Sequence, residues 1–176
     1  MEKKEDRKKI LIAGFEGDDN SAKILLDDIR KICNKDSLYL KNDFEISSKQ
    51  IEEKLLNNYD YILIFGQKPD TKMLYLENNA ILGEKKLVTD YNYDILKEYL
   101  KNHKYEVESS YNAGNYLCNN VFFRALDFKL KNNIKSKIAF IHIPTIDNIE
   151  NITNLSNAIK EYIDFLSLNR IIKNNN

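Results

Sequence analysis

Three apolar runs, "KILIAGF" at 9–15, "YDYILIFG" at 59–66 and "KIAFIHIP" at 137–144, alternate with stretches whose apolar residues recur at helical spacing. Runs apolar almost throughout read as strands covered on both faces, and such strands need helices on either side. The alternation therefore predicts an α/β fold with three α/β/α layers around a mostly parallel twisted sheet. The chain of 176 residues is long enough to close one such core without disulfide or metal staples. One domain is expected over 1–176, with flexible tails at 1–8 and 171–176.

Local signals fill the intervals. Asn20 and Ser21 precede Ile24, Leu25, Ile29 and Ile32 as a helix cap precedes an apolar face. A short strand is expected at "LYL", followed by a helix in "SSKQIEEKLLNN" opened by Ser47 and Gln50 at capping-box spacing. "KMLYLENNAIL" reads as a strand or extended arm and "GEKKLVTDYN" as a polar loop. Further helices are expected in "YDILKEYLKN", at 114–130 and from near Asn151 past Leu166, with a strand in "YEVESSYN".

Charge is balanced at 27 Lys plus Arg against 27 Asp plus Glu, so no net field draws a polyanion, and no nucleic-acid partner is expected. The basic runs "EKKEDRKK" and "KLKNNIKSK" read as solvated segments. "ILIAGF" is too short for a signal-peptide core or a membrane span, so no membrane partner is expected either. Cys33 and Cys118 stand 85 positions apart, which speaks against a zinc site or disulfide framework and for free thiols in the cytoplasm. The five glycines are scattered singly and make no phosphate loop, and no cofactor or metal is expected.

The chemistry-bearing residues are few. Cys118 follows the bend "NAG" and falls in the first turn of a helix, where amide groups and a neighbouring imidazole lower a thiol pKa. Of the two histidines, His103 lies in a polar turn, whereas His142 ends a core strand, where side chains meet the ligand-binding edge of an α/β sheet. Glu77 is a single charge inside "MLYLENNAIL" and must face solvent or a buried partner. Each also has a plain structural reading, as a packed thiol, a satisfied core histidine and a solvated edge charge.

Four segments in order resemble pyroglutamyl peptidase I, the pyrrolidone-carboxylate peptidase family of cysteine peptidases: "ILIAGFE", "FGQ" followed by "YLENNAI", "NAGNYLCNNVFF" and "FIHIP". The intervals agree as well, ten positions from Gln67 to Glu77 and twenty-four from Cys118 to His142. The resemblance implies a shortened, divergent member with Cys118 as nucleophile, His142 as general base and then acid, and Glu77 as the orienting carboxylate. It implies Phe15 as one wall of a lactam pocket lined by Gln67, with Asn20 as a further substrate-binding residue. The implied partner is a peptide with a blocked N-terminus, and because the family tends to form homo-oligomers the resemblance also implies a homo-oligomer as an expectation.

The departures bear on the pocket. "GFEGDDNSAK" lacks the family's second aromatic wall, and Pro69, Asp70 and Thr71 replace its Gly-Gly-Arg. "GEKKL" replaces its Asp-Asp-Ala-Arg, which leaves Lys85 or Lys86 to approach in place of the arginine. The alternative function is a non-catalytic or altered-specificity relative that binds a different small ligand or blocked N-terminus.

Overall fold

The computed structural model describes residues 7–168. The tail expected at 171–176 lies outside them, as does the leading tail up to residue 6, while Lys8 is already tied to Asp60 by an ion pair of 3.1 Å.

A six-stranded sheet forms the middle layer, in the order β2-β1-β3-β8-β4-β7. β1 (Ile10–Phe15), β2 (Asp36–Leu40), β3 (Tyr61–Lys68) and β8 (Lys137–Pro144) are mutually parallel. β4 (Leu74–Glu77) runs antiparallel to β8, and β7 (Val107–Ser110) runs parallel to β4. The reversal has a simple cause. Only residues 69–73 join β3 to β4, far fewer than the dozen or so a parallel crossover requires.

Helices α1 (Ser21–Ile32), α3 (Asp94–Asn102) and α5 (Ile152–Leu168) cover one face of the sheet, while α2 (Phe44–Leu55) and α4 (Leu117–Lys131) cover the other. Strand alternation sorts the core between them, with Ile10, Ile12, Leu63, Phe65, Ala139 and Ile141 toward the first set and Leu11, Ala13, Ile62, Ile64, Ile138 and Phe140 toward the second. The fold is α/β with a mostly parallel sheet, as the run pattern predicts.

Three local expectations are corrected. α2 opens at Phe44, one turn early, because the Asp43 carboxylate accepts from the amides of Glu45 and Ile46. Ser47 is therefore inside the helix, bonded back to the Asp43 carbonyl, and Gln50 spends its amide on Lys41 N–H and the Tyr39 carbonyl instead of closing a capping box. The expected arm at 72–82 breaks at Asn78 into β4 and β5 (Asn79–Leu82), and the expected loop at 83–92 contains β6 (Lys85–Val88), which pairs with β5 as a hairpin. Alternation alone could not show that hairpin, since three of the four residues in β6 are exposed.

A tyrosine cluster fills the α3/α5 side, where the Tyr91 and Tyr162 hydroxyls bond to each other and the Tyr91 and Tyr93 rings lie 4.9 Å apart. Burial pushes the Tyr91 and Tyr93 hydroxyls far above their ordinary value and that of Tyr162 up to about 12. The folded state thus prefers the neutral phenols. Their contribution is whole below the unfolded value of 10.0 and is lost as pH rises through the folded values. Thermal melts are expected to be level from about pH 7 to 9 and to fall steeply above about pH 10, and an unchanged Tm near pH 12 would contradict this account.

Candidate active site

The site begins with sheet register. On β8, Phe140 and His142 point to the α2/α4 side, and on β4, Tyr75 and Glu77 point the same way. Glu77 pairs with Phe140 and Tyr75 with His142, which makes Glu77 and His142 diagonal neighbours on one face. His142 Nδ1 meets Glu77 Oε1 at 2.7 Å. Both side chains are buried, Glu77 completely. Tyr93 pins the two strands where their pairing ends: its hydroxyl donates to the Glu77 carbonyl at 2.8 Å and accepts from the Phe140 amide at 3.0 Å. The second carboxylate oxygen of Glu77 is buried with no partner.

Cys118 reaches the same face from α4. Asn112 Oδ1 accepts from the Gly114 amide at 3.0 Å and Gly114 takes φ +84°, so the bend runs on and the helix starts at Leu117, three residues later than its sequence suggests. Cys118 stays in the first turn, which no side chain caps. Its neighbours fix that turn. Asn119 accepts from the Ile81 amide at 3.0 Å and donates to the Ile81 carbonyl at 2.7 Å, and Asn120 donates to Ser48 Oγ at 2.9 Å.

The thiol rests on Gly66. A Cβ at that position would come within 2.8 Å of Cys118 Sγ and 3.0 Å of the Phe140 ring, so the strand needs glycine there to let the sulfur approach. Gly66 is also the register partner of His142 across β3 and β8. Thiol, imidazole and carboxylate therefore share one sheet face at the carboxyl ends of β3 and β8.

The electrostatics correct one expectation. Burial, followed by the nearby charge of Glu77, pushes the Cys118 thiol up to about 12, against the pull of its own backbone amide and of Lys68. The helix start does favour the thiolate, but removal of water outweighs it. Cys33, at the end of α1, is likewise pushed up by burial.

The other expected residues are placed as follows. Phe15 is buried at the end of β1 on the same side of the sheet as Cys118. Gln67 faces the opposite side, where its Oε1 accepts from the Ser21 amide at 2.8 Å. Asn20 caps α1 through Oδ1, which accepts from the Ala22 amide at 2.9 Å. Lys85 is held by Asp127 at 2.6 Å, and Asp127 lies nine residues beyond Cys118, roughly 13 Å along the helix. Lys86 is exposed on the hairpin. Neither replaces an arginine at the thiol. Lys68, which sequence reading passed over, lies two residues beyond Gly66 with its ammonium 4.7 Å from the centre of the Tyr75 ring. Counting in twos along β3 from Gly66 would have found it.

Among the described residues no group of three or more His, Cys, Asp or Glu side chains could hold a metal ion, and no helix is long and apolar enough to cross a membrane.

Fold and site together describe an α/β protein that gathers a cysteine, a histidine and a buried glutamate on one sheet face. The family model of pyroglutamyl peptidase matches residues 92–169, a stretch that contains Cys118 and His142. No curated protein sequence matches. Among solved structures, the pyrrolidone carboxyl peptidase of Fervidobacterium islandicum is similar with a TM-score of 0.81 at 20% identity, over 91% of this chain and 98% of that one. Pyroglutamyl peptidase I of Bacillus amyloliquefaciens is similar at 0.79 and 18% identity over 93% and 96% of the two chains. The pyrrolidone carboxyl peptidase of Thermococcus litoralis gives 0.73 and 21% over 92% and 93%. The fold of this chain is theirs.

Proposed function

We propose that this chain is a cysteine exopeptidase that removes an N-terminal pyroglutamyl group from peptides in the cytoplasm. The observation that carries the reading is the buried His142–Glu77 contact of 2.7 Å on the face where Cys118 sits over Gly66. The family-model match and the activities named for the structural neighbours support the substrate.

In this reading the Glu77 carboxylate accepts from Nδ1–H of His142, which fixes the tautomer and leaves Nε2 to take the thiol proton. Sulfur attacks the lactam-bearing carbonyl as the proton moves to His142. The amine then leaves with that proton, and water, activated by the same imidazole, hydrolyses the thioester. Burial and the charge of Glu77 raise the thiol pKa, so in this reading transfer of its proton to His142 is part of the attack. The uncapped amides at the start of α4 are the oxyanion donors.

A pyroglutamyl fluorophore is the test substrate, and its release by the purified protein, with a thioester that accumulates at early times, is the expected result. The altered turn after β1 favours a second reading as a binding relative. Glu16 there is tied to Lys41 at 2.8 Å, and the exposed Asp18 occupies the stretch where the resemblance would have an aromatic. Saturable binding of a pyroglutamyl peptide without turnover would select it.

A further inference from the structure

We infer that Lys68 supplies the positive charge that stabilises negative charge at Cys118, first on the sulfur and then on the oxyanion that forms in front of it. Side chains at alternate positions of β3 share a face, so Lys68 extends from the strand on the side where Gly66 carries the thiol. Its ammonium is not loose. It lies 4.7 Å from the centre of the Tyr75 ring, and Tyr75 is the register partner of His142. That stacking holds the cation against a ring that neighbours His142 on the same face.

Among the described residues Lys68, like about half of the other lysines, has no carboxylate within ion-pair distance; what distinguishes it is its place on the face that carries the thiol. A cation with no carboxylate partner on a face that also holds Glu77 and His142 leaves its field for the thiol over Gly66. The charges that act on Cys118 are those of Glu77 from β4 and Lys68 from β3, and His142 from β8 shares their face. Glu77 opposes a thiolate, and Lys68 favours one.

The oxyanion half of this inference rests on the peptidase reading, and the sulfur half does not. Iodoacetamide separates them, since its alkylation of Cys118 forms a C–S bond and releases iodide without any substrate. The rate is measured from about pH 7 to 11 in a Cys33→Ser background, with circular dichroism to confirm folding. Lys68→Gln is expected to slow alkylation near pH 8 by roughly three- to tenfold, and Lys68→Arg to stay within about twofold of the parent. In hydrolysis Lys68→Gln is expected to lower kcat by roughly ten- to a hundredfold with KM little changed. An alkylation profile of Lys68→Gln that superimposes on the parent's overturns the inference, whatever the peptidase assay returns. A shifted profile in a protein that cleaves no pyroglutamyl substrate upholds the charge at sulfur and rejects the peptidase reading instead.

Discussion

Cys118→Ser should lower kcat/KM for a pyroglutamyl fluorophore by roughly 10⁴- to 10⁶-fold and shift the melting temperature little. The stability expectation follows from size: an oxygen occupies less room than sulfur above Gly66, where a Cβ would already crowd Sγ at 2.8 Å. The activity expectation follows from the surroundings. Burial and Glu77 disfavour an anion at this position enough to push even a thiol up to about 12, and a hydroxyl starts far less acidic. His142 cannot make up that difference within a turnover. Polarisability is lost as well, so the serine oxygen is a poorer nucleophile even when its proton is taken. Stopped and continuous assays of Cys118→Ser and the parent at several pH values check this, and retention of a tenth or more of the parent activity would remove Cys118 from the mechanism.

How far the site could be read in advance depended on what each residue's position rests on. Strands β1, β3 and β8 are buried on both faces, so their apolar runs are nearly continuous and their limits fall within two residues of the expected ones. His142 at the end of β8 came with them. Glu77 was visible as a charge in an apolar stretch, but its partner was not, because the diagonal contact depends on β4 running antiparallel to β8. Nothing local encodes that direction beyond the shortness of the connection at 69–73. The environment of Cys118 was legible in part. A helix start after "NAG" follows from the asparagine turn and Gly114, yet how much water the thiol loses depends on Gly66 and Phe140, some fifty and twenty residues away along the chain. Propensity fixed the sign of one effect, and tertiary packing supplied the larger, opposite one. Asn119 and Asn120 were hidden for the same reason, since their partners Ile81 and Ser48 belong to other elements.

Glu77→Gln should lower kcat by roughly 10³- to 10⁴-fold with KM changed little, because it removes orientation and charge from His142 without touching substrate. The glutamine has almost the same volume as glutamate, which matters at a residue with no solvent exposure. Its NH₂ can turn toward Nδ1 and donate to it, and the imidazole proton then resides on Nε2, the nitrogen that accepts from Cys118 in the proposed mechanism. Glu77→Ala is a weaker probe of mechanism. It opens a cavity and leaves His142 without its partner, and losing one member of a buried pair costs about 3–5 kcal/mol, enough to confuse misfolding with lost chemistry. The same substitution to glutamine has an opposite consequence at sulfur: Glu77 raises the thiol pKa, so its neutralisation should speed iodoacetamide alkylation of Cys118 while peptidase activity falls. A structural role for Glu77 alone would depress both rates together. Divergence of the two, measured on one folded preparation, is the signature of a carboxylate that hinders the thiolate at rest and serves the imidazole during reaction.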